Sequence, residues 1–543
     1  MRIKWVNPSH SLQPTIGNLQ SNPEDYTVHM NPGYYILKSY YKYKSPENYK
    51  KLEWLEPHFK PLFNEDMEEV LKEDIDVLCL SFFIWNFSAL SRLAKRFKEI
   101  RPDIIIIAGG PQLDAHKRFG FFEEHPYIDY VVYGDGEDAF ASILDATFAK
   151  TEIPTTSVNI ITKDKKYPHR VFSDKEFWNR SYILDLKEEI EYDVYRILKH
   201  CKGIKLDWEI DRGCPYKCSF CDWSSGLHHK VKRRSKHWKE EMEFMSKLPV
   251  DVKLINANFG IFEEDLEIAQ YISDHKIQNV KILYMAKLHK ERTWKIQEIL
   301  ALNNKNYIAS VALQDIDEEI LGNIDRPAIS WEEEKEYAIQ FHKKYPEHVV
   351  WFIVMIGLPG QTVETFKYML LEIHNLGIKS MQLGSYHWHL LYNSPAHDPA
   401  YQEKYKVVFE EFFLPTVSHS GQFTEDLSFE ELNRLYEEGS PFATKVKLAK
   451  ETYSANWLEM IKMITLVGIF SGIKNVVLNI DPSRIFFNPA FDRFLEEESL
   501  ETLNSMERNR LWGKWCPEEK KWFSIDSYYH RNIFIKKFLE RFN

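Results

Sequence analysis

The chain has 543 residues, 44 % apolar and 15 % aromatic, too many for one hydrophobic core and too apolar for general disorder. Its 70 basic and 81 acidic residues give a formal charge of −11, which argues against a generic, phosphate-driven nucleic-acid binder. The N-terminus "MRIKWVNPSH" lacks the apolar stretch of a signal peptide and no uncharged run approaches the ~20 residues that span a bilayer, so a soluble, cytoplasmic protein without nucleic-acid or membrane partners is expected.

In chain order, "RIKWV" (2 to 6), "IDVLCLSFF" (75 to 83), "DIIIIAGG" (103 to 110) and "IDYVVYGDGE" (128 to 137) read as strands, with amphipathic helical stretches between them. Continuous Val/Ile/Leu runs in that alternation imply a parallel, Rossmann-like α/β domain over residues 1–150. Ligands of such sheets bind beyond the carboxyl ends of the strands. That singles out Asn7 and Pro8, Trp85 and Asn86, Gly109, Gly110 and Pro111, and Gly134, Asp135, Gly136 and Glu137. No early G-x-G-x-x-G is present, so a nicotinamide site is not expected.

Residues 151–200 read as a connector with a hairpin around "SVNIITKDKKYPHRVF" and a charged helix. From 201 to 400, six strands alternate with helices: "KLDWEID", "VKLINANFG", "VKILYMAK", "IASVALQD", "VVWFIVMIGLPG" and "SMQLGSYHWHLL". Six β/α units predict a partial (β/α)6 barrel rather than a closed eight-stranded one. Residues 401–543 read as an α-rich domain.

Three of the six cysteines, Cys214, Cys218 and Cys221, stand in "RGCPYKCSFCDW" with C-x3-C-x2-C spacing, directly after the first barrel strand. A loop at the carboxyl end of a barrel strand is where this architecture places chemistry. Structural zinc takes four ligands, usually in paired C-x2-C units, and the nearest further candidates are His228 and His229. Three thiolates on a [4Fe-4S] cluster instead leave one iron open for a substrate or cofactor, and the spacing favours that reading over zinc.

The cysteine motif, Phe220 before its last cysteine, "NANFGIFEED", "VALQDIDEEILGNIDRP" and "MIGLPGQTVETF", in this order along six β/α units, resemble the radical S-adenosylmethionine (SAM) superfamily. "SFFIWN", "IIAGGP" and "YVVYGDGEDAF" resemble the cobalamin (B12)-binding domain fused in front of the radical SAM domain in one subfamily. The resemblance covers residues 1 to 400. It implies three cofactors: the cluster, SAM and cobalamin. It further implies a methyltransferase acting on an unactivated carbon of a natural-product intermediate or peptide. SAM would both methylate cobalamin and supply a 5′-deoxyadenosyl radical, and an external donor of flavodoxin or ferredoxin type would deliver the electron. The alternative keeps both cofactors without methyl transfer, for oxidation, cyclisation or ring rearrangement.

The same resemblance implies roles for single residues. Cys214, Cys218 and Cys221 hold the cluster, Phe220 lies beside the adenine, and Asn256, Asn258, Lys287, Gln314 and Gly357 surround SAM. Trp85 or a neighbour in "FFIWN" faces the lower side of the corrin ring. The D-x-H-x-x-G element that supplies a histidine to cobalt is absent after the first strand, and "DAHKRFG" (114 to 120) has the wrong spacing and place. In "SYHWHLL", Tyr386 or His387 is expected to face substrate.

Overall fold

A computed structural model describes residues 1–9, 26–113, 121–224, 231–233, 236–282, 290–326, 330–415, 427–440, 443–475, 481–529 and 532–542. The first apolar runs form a sheet of β1 (Arg2–Val6), β3 (Glu53–Trp54), β4 (Val77–Ser81), β5 (Ile105–Gly109), β6 (Tyr130–Val132) and β7 (Ile160–Ile161), in the order β3-β1-β4-β5-β6-β7. All its pairings are parallel except β6 with β7. Val77, Leu78, Cys79 and Leu80 are all buried, as a strand covered on both faces requires. Helices Phe87–Ile100 and Glu137–Ala149 follow β4 and β6, so their first turns stand at the carboxyl edge of the sheet.

β2 (Thr27–Met30) does not join this sheet. It runs parallel to β8 (Gly203–Trp208), with Val28 opposite Ile204 and Met30 opposite Leu206. The expected boundary near residue 150 is therefore crossed by an early strand. β9 (Asp211–Arg212) and β10 (Lys232–Arg233) form a short antiparallel pair beyond β8. The barrel continues through β11 (Asp251–Leu254) and β12 (Val280–Ile282), giving the order β12-β11-β8-β2, and through β13 (Ile308–Gln314), β14 (Val349–Ile356) and β15 (Met381–His387) in a second parallel sheet. All six expected barrel strands are present.

The strands alternate between a helix-facing and an inner side. Trp208 of β8 donates to Glu241 of helix Trp238–Met245, at 2.8 Å, which fixes the outer face and puts Asp207 on the inner one, opposite Lys253. Burial pushes the Asp207 carboxyl up to about 7, against the pull of Lys253 and Lys205. A carboxyl titrates near 4 in an unfolded chain, so between about pH 4 and pH 7 the folded protein holds a proton the unfolded chain has released. Stability therefore falls as pH rises through that window, on the order of 1 kcal/mol per unit. Asp207→Asn is expected to shrink the difference in thermal midpoint between pH 5 and pH 7.5; an unchanged difference would mean that the carboxyl is already ionised in the fold.

Beyond the barrel, helices Trp457–Asn475, Pro489–Asn509 and Asn532–Phe542 give the helical content expected there. They are accompanied by two antiparallel pairs, β16 (Val408–Pro415) with β17 (Ala443–Glu451) and β18 (Gly513–Cys516) with β19 (Lys521–Ser524). The largest core runs without a break from the first sheet through the barrel into this C-terminal layer.

Candidate functional site

A cavity of about 900 Å³ opens at the carboxyl ends of β4, β5 and β6. It is at the upper end of ordinary ligand pockets. Gly109, Gly110 and Pro111 line it on one side and the turn Gly134 to Glu137 on another, so seven of the expected cofactor-binding positions share one wall. The opposite wall comes from the barrel: Glu209, Arg212, Asp222, Trp223 and Ile255. Asp222 and Trp223 directly follow Cys221, so the cavity opens onto the cysteine loop.

Gly110 shows why the sequence is glycine-rich here. Its φ is +107°, and a Cβ at this position would overlap the Phe82 carbonyl oxygen and stand 2.7 Å from the Phe82 nitrogen. The close approach is real, because the Phe82 N–H donates to the Gly109 carbonyl at 2.7 Å.

Asn7, Pro8, Trp85 and Asn86 lie outside the cavity wall and serve the loop behind it. The Asn86 side chain accepts from the Phe83 N–H at 2.7 Å and donates to the Ser81 carbonyl at 3.0 Å. Asn7 is buried, and its N–H donates to the His58 carbonyl at 2.9 Å. The ring that reaches the cavity is Phe83, two residues earlier in "FFIWN"; Trp85 stacks on it at 4.7 Å with planes 11° apart. "DAHKRFG" and Lys287 lie outside the described residues.

Arg212 ties the two walls together. Its guanidinium makes a two-bonded pair with Glu209, both bonds at 2.9 Å, and donates to Asp135 at 2.7 Å and Glu137 at 3.1 Å. The two first-sheet carboxylates are almost fully buried. Removing one member of a buried ion network leaves charge in a low-dielectric setting and costs about 3–5 kcal/mol. Arg212→Gln is therefore expected to lower the thermal midpoint by several degrees, with Arg212→Lys recovering only part because it cannot pair two-fold. A midpoint unchanged in scanning calorimetry would show that the network is not needed to hold the walls together.

The cysteine loop sits on the same seam. Cys214 and Cys218 are buried and Cys221 is half-buried. Burial pushes all three thiols up, Cys221 to about 12, and each of Cys214 and Cys221 is raised further by the nearness of Cys218. Among the described residues no three His, Cys, Asp or Glu side chains converge as ligands of one metal ion. Two nitrogen donors point at the sulfurs: Asn258 Nδ2 reaches Cys214 Sγ at 3.1 Å and the Arg326 guanidinium reaches Cys218 Sγ at 3.9 Å. Three thiols with N–H donors and a buried cation around them fit an anionic iron–sulfur cluster.

The other expected SAM positions gather on the barrel's carboxyl side. Asn256 donates to Asp211, so of the two asparagines one braces the strand end and the other contacts a cysteine. Gln314 ends β13 after an irregularity in the pairing and has a left-handed φ of +64°, a conformation costly for a residue with a side chain. Phe220 packs against a buried cluster that includes Met355, Leu358 and Trp388. Gly357 has φ +91°, and its turn is pinned by a residue the sequence reading passed over: Gln361 accepts from the Gly357 and Leu358 N–H groups and donates to Asp315 at 2.6 Å. Burial pushes the Asp315 carboxyl up to about 6.

The sixth strand separates the two expected substrate-facing residues. Tyr386 is 53 % exposed on the inner side, whereas His387 is 4 % exposed. The His387 ring lies 4.8 Å from Trp512 and 5.5 Å from Trp457, with Nε2 2.6 Å from the Ala449 carbonyl oxygen. Burial holds it down to about 3, so it stays neutral and acts as packing. His387 therefore does not face substrate as expected, because alternation turns it into the C-terminal layer.

Residues 54–144 match the B12 binding domain family. Two curated relatives are each 28 % identical to the chain. One is the cobalamin-dependent radical SAM methyltransferase TokK of Streptomyces tokunonensis, over 373 residues that cover 64 % of this chain and 52 % of the relative. The other is a 2-(S-pantetheinyl)-carbapenam-3-carboxylate methyltransferase of Streptantibioticus cattleyicolor, over 351 residues that cover 60 % and 48 %. The chain thus spans about half the length of these relatives. Among solved structures, the radical SAM methyltransferase TsrM of Kitasatospora setae, with cobalamin and a [4Fe-4S] cluster bound, shares the fold with a TM-score of 0.56 at 12 % identity, over 93 % of this chain and 99 % of that one.

Proposed function

We propose that the chain is a cobalamin-dependent radical SAM enzyme that methylates an unactivated carbon of a small natural-product intermediate. The observation that carries this reading is the shared wall: the cavity at the ends of β4 to β6 is closed by the residues that follow Cys221. A B12 binding domain match over 54–144 spans β4 to β6 and so covers most of the first-sheet side of that wall. The relatives named above support methyl transfer, and the carbapenam carboxylate in one printed name supports a small-molecule substrate.

When bound, the corrinoid supplies a transferable methyl group and the cluster with SAM supplies the radical that opens a C–H bond. The chain's own residues do the rest. Gly109 and Gly110 give a wall without side chains and Phe83 gives an apolar surface, which together would suit a flat corrin ring. Cys214, Cys218 and Cys221 would hold the cluster, with Asn258 and Arg326 donating to the sulfurs of Cys214 and Cys218. Gln314 and the Gly357 turn, fixed by Gln361, present polar groups and backbone to SAM.

Tyr386 is the substrate-facing side chain of the sixth strand in this reading. Tyr386→Phe is expected to lower turnover at least tenfold with iron and cobalamin content unchanged. Equal turnover would remove it from the site.

The reading is tested by incubating the anaerobically prepared protein with SAM, a low-potential reductant and a panel of carbapenam-type carboxylates. Methyl transfer requires S-adenosylhomocysteine and 5′-deoxyadenosine together with a methylated product. 5′-Deoxyadenosine with no S-adenosylhomocysteine would instead place the chain with enzymes that use both cofactors without methylation.

A further inference from the structure

We propose that Arg326 is the counter-ion of the three-cysteine cluster and raises its reduction potential. The inference rests on the cluster assignment above and extends it to a residue outside the cysteine motif. Arg326 is 7 % exposed, in the turn that follows helix Glu318–Asn323. Its guanidinium donates to the Ala312 carbonyl of β13 and to Cys218 Sγ at 3.9 Å, and lies over the Phe220 ring at 5.9 Å. Among the described residues its Nε has no hydrogen-bond partner and no carboxylate forms an ion pair with it, the buried Glu334 acting on it only from further away. Its neighbour Asp325 is turned to solvent.

A guanidinium cannot shed its charge in a protein, so a buried one without a carboxylate is an anomaly that an anionic ligand resolves. Arg212, two residues before Cys214, shows the contrast: it is half-buried and faces three carboxylates. The anion that Arg326 faces is the sulfur of Cys218. Three thiolates on a cluster carry net negative charge, and accepting one electron from a low-potential donor adds another without breaking a bond. A fixed cation at the sulfur favours the reduced form, as do N–H donors to cluster sulfurs in general, and Asn258 at Cys214 acts in the same sense. Arg326 is in this respect a positioning and tuning residue that makes the electron easier to deliver.

The test uses the full-length protein, anaerobically reconstituted with iron and sulfide, with wild type, R326Q and R326K titrated by a low-potential reductant in the absence of SAM and read by EPR. R326Q is expected to keep the cluster but to show, at the wild-type midpoint, a reduced-to-oxidised ratio about tenfold lower, equivalent to about 59 mV for one electron. R326K is expected to recover most of that ratio. An unchanged ratio in R326Q overturns the proposal, and does so equally if SAM affinity alone falls, because the guanidinium would then serve the carboxylate of SAM. If R326Q takes up no iron, R326K decides: a wild-type iron content and ratio supports the charge as the cause, and no iron in R326K overturns it. Wild-type protein without iron would instead refute the cluster assignment on which the proposal rests.

Discussion

Cys218→Ala is expected to reduce the iron of anaerobically reconstituted protein from about four atoms per chain to a small remnant, and to abolish reductive cleavage of SAM. Cys218 is the middle ligand of C-x3-C-x2-C and stands closest to the Arg326 cation. With one corner lost, two thiolates remain for a cluster whose fourth iron must stay open. The substitution removes a small buried side chain, so the fold is expected to survive it, and circular dichroism separates loss of the cluster from loss of structure. Retained iron with SAM cleavage would mean that the ligand set lies elsewhere.

Gly110→Val is expected to remove the other cofactor while leaving the first. A β-branched side chain at a φ of +107° is sterically excluded, and its Cβ would strike the Phe82 backbone. The β5 loop can accommodate valine only by moving into the cavity or away from Phe82, and either deforms the wall on which the ring is placed. Cobalamin retained after gel filtration is expected to fall at least tenfold, with the iron content near wild type because the cysteine loop stands on a different sheet. Wild-type cobalamin content in the variant would place the corrinoid away from the Gly109 to Pro111 loop.

The parallel strands were readable because burial on both faces leaves an unmistakable apolar run, as in "VLCLS" and "IIIAG". β2 is not, since "TVHM" is four residues with a polar alternate and its partner lies 176 positions away. The β16 and β17 pair is hidden by irregular patterning: Lys445 and Lys447 of "ATKVKLAKE" share one face, but in "VFEEFFLP" the adjacent Glu410 and Glu411 fall on opposite faces and Phe412 and Phe413 are both buried. Of the site, glycine loops and cysteine spacing are local and therefore legible. Arg212, Arg326, Gln361 and Asp315 stand inside the quoted motifs, but their roles come from partners distant in sequence, Asp135 for the first, Cys218 for the second and each other for the last two. Period-two alternation placed Tyr386 and His387 on opposite faces, and only the C-terminal layer around Trp457 and Trp512 shows which face is closed.

A cavity shared by the first sheet and the cysteine loop requires a corrinoid and an iron–sulfur cluster on the same chain. Cobalt and iron measured together on the same anaerobically reconstituted sample test this most directly. About one cobalt and about four irons per chain are expected. Full iron with no cobalt, even after reconstitution with cobalamin, would contradict it.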